Sequence, residues 1–192
     1  MIKINTESKI NIISGILANN IDLVKEVFNI SENLCSVPIN KDNVIADLLN
    51  NIEYIFNKLD IKSKFQGSSN KDLINAITKI LGSIVINMDK YVLIINPENG
   101  LHYKVLVYLW VVIKKFANKY NCKLFIITQS YEFLEIVIGR CTNNDIEIEE
   151  DTEFTNLSYF RLEFTNDKDG IEFTRMNYDE LKIAIEHQWE VR

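Results

Sequence analysis

The sequence predicts an α/β protein with a partly parallel sheet, a C-terminal antiparallel hairpin and a helical N-terminal segment. Three observations carry that reading. Two continuous apolar runs, Tyr91-Val-Leu-Ile-Ile95 and Lys123-Leu-Phe-Ile-Ile127, read as strands buried on both faces of a sheet. Each is followed by apolar residues at helical spacing, which makes a β-α-β-α alternation. Beyond them, residues 159–165 and 171–176 alternate apolar and polar side chains around Asn166-Asp-Lys-Asp-Gly170, the pattern of a hairpin with one wet face.

Taken in order, residues 10–17 and 21–30 read as two short helices broken at Asn19-Asn20, followed by a loop holding Cys35 and Pro38. Val44, Ile45, Leu48, Leu49, Ile52, Ile55, Phe56 and Leu59 recur at steps of three and four, so a longer helix is expected over about residues 42–59. Residues 1–66 thus form the helical N-terminal segment and 67–192 the α/β part, in one compact unit. A helix opening at Ser68 or Ser69 buries Leu73, Ile74, Ile77, Ile80, Leu81 and Ile84. The first strand ends at Asn96-Pro97, and a helix so apolar that it must be packed around most of its girth covers residues 103–120. After the second strand comes a helix at 131–140, and after the hairpin a last one at 178–188. Trp110 reads as a core residue and Trp189 as a residue packing the last helix down.

Composition narrows the function classes. The chain has 192 residues, 47% of them hydrophobic, with only 6 glycines and 2 prolines, which excludes low-complexity and collagen-like proteins. The longest apolar run, Val105 to Ile113, falls well short of the roughly 20 residues of a membrane span. With no signal-peptide pattern at Met1-Ile-Lys-Ile, a cytoplasmic protein with no membrane contact is expected. Cys35, Cys122 and Cys141 form no C-x-x-C pair, so neither a disulfide framework nor a zinc ribbon is expected, and each reads as a small buried hydrophobe. From Asp145 onward there are 14 acids and 5 bases, a net −9, against 13 acids and 16 bases before it, a net +3. Such an acidic final quarter, with four scattered arginines in the whole chain, does not support nucleic acid as a partner. Glu98 and His102 are four apart in a turn and Glu98 with Asp89 brackets the strand, the raw material of a carboxylate pair or a two-residue metal site, but strand-to-helix turns are routinely polar and no metal is expected.

The two strand ends carry the most information. The first reads Leu93-Ile-Ile-Asn-Pro-Glu-Asn-Gly-Leu-His102 and the second Leu124-Phe-Ile-Ile-Thr-Gln-Ser-Tyr-Glu-Phe133. Here the chain resembles the ABC-type ATPases of the AAA family, the overcoming-lysogenisation-defect and recombination-type group. In that group a buried strand ends in Asp-Glu-Pro-Glu-Asn-Gly-Leu-His and the next in Thr-His-Ser, often followed by Tyr-Glu-Phe. The resemblance covers about residue 68 to the C-terminus and implies the C-terminal half of a P-loop NTPase fold. It makes Glu98, Asn99, Gly100, Leu101 and His102 a D-loop-like turn and Gln129 the switch position. Ser68, Ser69, Asn70 and Lys71 resemble a worn signature motif, which would bind an anion at a helix start; they read equally well as an ordinary serine-capped helix.

The departures matter as much as the matches. The carboxylates that hold magnesium and orient the attacking water in that family are replaced by Ile95 and Asn96. Ile95 coordinates nothing, and Asn96 can hydrogen-bond a water but cannot take its proton. The switch histidine is replaced by Gln129, a neutral amide able to donate to an oxygen. A P-loop needs G-x-x-x-x-G-K-[ST], and no two of the six glycines lie closer than Gly67 and Gly82. The first third, read as helical, leaves no room for the strand that would carry a P-loop. These losses together imply a catalytically inactive ATPase-fold protein that works as an interaction or regulatory module, through a protein partner or its own oligomer. No cofactor is expected, and ATP with magnesium would bind only with a partner. Two alternatives stand beside it: half of a composite ATPase that completes a partner's site in trans, and a structural or virion-type protein that has recruited the fold.

Overall fold

The computed structural model describes residues 4–30, 50–55, 69–87, 89–140, 156–165 and 170–189. Within them lie five strands and six helices: β1 (Ile10–Ser14), α1 (Ile21–Val27), α2 (residues 50–55), α3 (Ser69–Ile86), β2 (Tyr91–Ile95), α4 (Tyr103–Lys119), β3 (Lys123–Ile127), α5 (Tyr131–Val137), β4 (Leu157–Phe164), β5 (Ile171–Asn177) and α6 (Tyr178–Glu186). A 3-10 turn, Ile16–Asn19, joins β1 to α1. The strands form one sheet in the order β2-β3-β1-β4-β5. All neighbours are parallel except β4 and β5, which pair antiparallel from Ser158↔Asn177 to Phe164↔Ile171.

The main departure from expectation lies at the N-terminus. Residues 10–14 are a strand, not the start of a helix, and β1 sits at the centre of the sheet with Ile12 opposite Ile126 on one side and Tyr159 on the other. Every residue of β1 is buried. A strand buried on both faces shows no alternation, and Ile10, Ile13 and Leu17 happen to fall at helical spacing. The three β-branched isoleucines and the glycine that follows are the features that favour the strand. The expected helix at 21–30 forms as α1, capped by Asn20, whose side chain accepts from the Leu23 N–H at 3.1 Å. Of the helix expected over 42–59, residues 50–55 are helical and the remainder lie outside the described residues, as do Cys35, Pro38 and Cys141.

Helices cover the two faces unequally. On one face Ile12, Val92, Ile94, Leu124, Ile126 and Tyr159 pack against α3, α4, α5 and α6, and Trp110 meets Phe133 edge-on at 5.7 Å. On the other, Ile13, Phe125, Ile127, Phe160 and Leu162 pack against α1, with Phe28 edge-on to Phe160 at 4.9 Å. Residues 4–8 cross that face, tied down by a buried polar network. The Thr6 hydroxyl donates to Asn11 Oδ1 at 2.7 Å, Asn11 Nδ2 donates to the carbonyls of Ser8 and Leu124, and the Ser8 and Ser158 hydroxyls meet at 2.7 Å. Lys123 Nζ donates to the Thr6 carbonyl. Burial pushes the lysine pKa down and Glu7 partly restores it.

Three smaller expectations are also corrected. β2 is an edge strand among the described residues, with Tyr91 44% and Ile95 43% exposed, so it is not buried on both faces. Its alternation was masked because its outward residues are apolar too. β4 is not a half-wet hairpin strand: it pairs with β1 on its other side and buries Leu157 through Phe160 between the two helical layers, while β5, mostly exposed, is the edge strand among the described residues. Trp189 is 57% exposed and contacts His187 rather than the core. Cys122 is buried as expected, and burial pushes its thiol up.

Candidate functional site

The fold itself points to one place. The chain leaves β1 toward α1 on one face of the sheet and leaves β3 toward α5 on the opposite face. The strands that follow lie in opposite directions as well: β1 leads on to β2 beyond β3, and β3 leads on to β4 beyond β1. The carboxyl ends of β1 and β3 therefore form the topological switch point of the sheet, where open α/β folds leave a crevice for ligands. Ser14-Gly15 and Thr128-Gln129 border it, and the turn after β2 lies next to it.

At that point the chain itself bridges the two strand ends. Gln129 Nε2 donates to the Gly15 carbonyl at 2.8 Å, and the same oxygen accepts from the Ala18 N–H at 3.0 Å. Gly15 has φ +93°, and a Cβ there would meet the Leu162 carbonyl and lie 2.8 Å from the Leu162 nitrogen. The turn after β1 is thus pressed against the β4 backbone on one side and held by an amide on the other. It offers no run of glycines and no lysine to an anion. The Thr128 N–H donates to the Ile13 carbonyl at 3.0 Å, extending the β1–β3 pairing past the end of the strands.

The adjoining turn is organised from Asn96 to His102. Asn96 adopts φ +46°, and its N–H donates to the Ile127 carbonyl at 2.8 Å. Asparagine accepts this left-handed conformation more readily than other residues with a Cβ, so the amide at this position has a backbone reason. The Asn99 N–H then donates to the Asn96 carbonyl and the Leu101 N–H to the Glu98 carbonyl. Glu98 Oε1 accepts from the Thr128 hydroxyl at 2.8 Å, and the same hydroxyl accepts from the Ser130 N–H at 3.0 Å. Glu98 Oε2 is shielded from solvent with no hydrogen-bond partner among the described residues. Asn99 and Gly100 are exposed, Gly100 at φ +76°, and Leu101 packs against the core. His102 caps α4, its Nδ1 accepting from the Lys104 N–H at 3.2 Å. Glu98 and His102 are therefore committed to different partners.

On the other side of β1 the Ser14 and Tyr159 hydroxyls meet at 2.5 Å, both buried. Burial pushes the Tyr159 pKa up to about 12, partly offset by Ser14 and Arg161. Arg161 lies two residues on, ion-paired to Glu163 at 2.6 Å.

The residues expected at a site divide in two. Ile95, Asn96, Glu98 to His102 and Gln129 come together at the carboxyl edge of β2 and β3. Ser68 and the side chains of Ser69, Asn70 and Lys71 lie outside the described residues; from Ser69 on the backbone is helical. Ser14, Gly15 and Tyr159 were missed. Gly15 stands directly after an isoleucine-rich run and before a capped helix, and that strand-glycine-helix order was the available signal. Among the described residues no group of three His, Cys, Asp or Glu converges as a metal-ligand set, and no helix is long and apolar enough to cross a membrane. Neither a family model nor a curated protein matches the chain.

Proposed function

We propose that the chain is an ATPase-fold protein that does not hydrolyse ATP and acts through contacts with a protein partner or with further copies of itself. The observation that carries this reading is the Gln129–Gly15 hydrogen bond that bridges the switch point. β1, Gly15, the 3-10 turn and α1 have the strand-loop-helix order of a P-loop, yet Gly15 is spent on close approach to Leu162 and on accepting from Gln129. α1 has seven residues and a side-chain cap, so its first turn adds no anion site of its own. Asn96 and Ile95 stand where water activation and magnesium binding would need carboxylates.

A second reading, completion of a partner's nucleotide site in trans, is favoured by one feature. Asn99 and Gly100 are exposed at the crest of the turn while Glu98 ties its base to the Thr128 hydroxyl. A turn braced in this way can be offered to another subunit.

Phosphate release from ATP by the purified full chain tests the leading reading. No release above the magnesium-only background is expected, with or without excess protein. Turnover that falls on Asn96→Ala substitution would contradict it.

A further inference from the structure

We infer that Gln129 is an internal latch: its side-chain amide fastens the turn after β1 to the end of β3 at the switch point. Three observations on both sides of the crevice support this. The Gln129 amide reaches across from the end of β3 to the Gly15 carbonyl at 2.8 Å, linking two turns 114 residues apart in sequence. That carbonyl already accepts from the Ala18 N–H, so both of its lone pairs are used within the chain and the turn has no free acceptor at this point. The base of the latch is fixed as well. Thr128 is fully buried, donates from its backbone N–H to Ile13 and from its hydroxyl to Glu98, and receives the Ser130 N–H. Gln129 is thus mounted on a residue held by three hydrogen bonds, with its own side chain half-buried.

The consequence is a coupling. Release of the Gln129 amide loosens Gly15 and the 3-10 turn Ile16–Asn19, and frees an amide donor and a carbonyl acceptor at the same point. Opening therefore depends on one side chain, while Leu162 limits movement of Gly15 toward β4. The inference rests on this geometry and not on descent from an ATPase.

Amide hydrogen exchange on the full chain tests it, using Gln129→Met, which keeps the length and removes the donor, and Gln129→Glu, which replaces the donor by an acceptor facing the Gly15 carbonyl. The loss of one net hydrogen bond predicts exchange at Ala18 and Asn20 about fivefold faster in both variants. Exchange across the β4–β5 ladder should stay at the wild-type rate, which also shows that the variants are folded. Unchanged rates at Ala18 and Asn20 would overturn the latch. So would an equal acceleration throughout the sheet, which would make Gln129 an ordinary stability contact.

Discussion

Asn96 and Tyr159 show how far a single side chain can be read. That the strand ends in Asn96 is visible in the sequence, but the reason an asparagine suits the turn, a φ of +46°, is not. Backbone handedness depends on where the strand ends relative to β3, and nothing local to Asn96 fixes that. Tyr159 is more hidden still. Its hydroxyl meets Ser14 only because β1 and β4 are neighbours across more than a hundred residues. Its burial has a measurable consequence in pH. The folded-state pKa, about 12, lies above the ordinary tyrosine value near 10, so the native state holds the proton that the unfolded state loses. The associated stability is fully present below about pH 10 and is lost as pH rises toward 12. Chemical denaturation at pH 8 and pH 11 should therefore show a smaller alkaline loss for Tyr159→Phe than for wild type, by on the order of 1 kcal/mol. An identical loss in the two proteins would mean that this hydroxyl titrates normally.

Among the elements, β1 and its turn decide the architecture. Three buried isoleucines place the strand at the centre of the sheet, and Gly15 lets the chain turn where β4 comes closest. Gly15→Ala must overcome both a positive φ and contact with the Leu162 backbone, neither of which a flexible side chain can relieve. A loss of at least about 2 kcal/mol is expected in urea denaturation; a change below 0.5 kcal/mol would show that the turn can move away from β4. The elements legible in the sequence were those with a strong period or a flanking turn: α3, α4, the β4–β5 pair and α6, whose capping box runs from Asn177 to Glu180. β1 was not legible because central strands lack alternation, and because Ile10, Ile13 and Leu17 imitate a helical face. β2 was over-read for the opposite reason. Its apolar residues suggested double burial, whereas Tyr91 and Ile95 point outward at an edge.

At the scale of the molecule, the carboxyl edge of the sheet gathers most of the residues that the sequence marked out, and the topology explains why. β2 and β3 are adjacent and parallel, so Asn96 and Thr128 end level with one another, while β1 brings Gly15 to the same rim. The sequence located two of these three strand ends. The third, which defines the crevice, required the strand order. Much of the rim is built from groups that satisfy one another, with Gln129 on Gly15, Thr128 on Glu98 Oε1, and His102 on the start of α4, while Glu98 Oε2 has no hydrogen-bond partner among the described residues. On the reading proposed above, such a rim serves contact with another protein and not turnover of a nucleotide. Isothermal titration of the full chain with ATP and magnesium tests this most directly. The account predicts no saturable heat up to millimolar nucleotide. Saturable binding by the chain alone, weakened when the rim residues Gly15 or Thr128 are altered in variants that still fold, would contradict it.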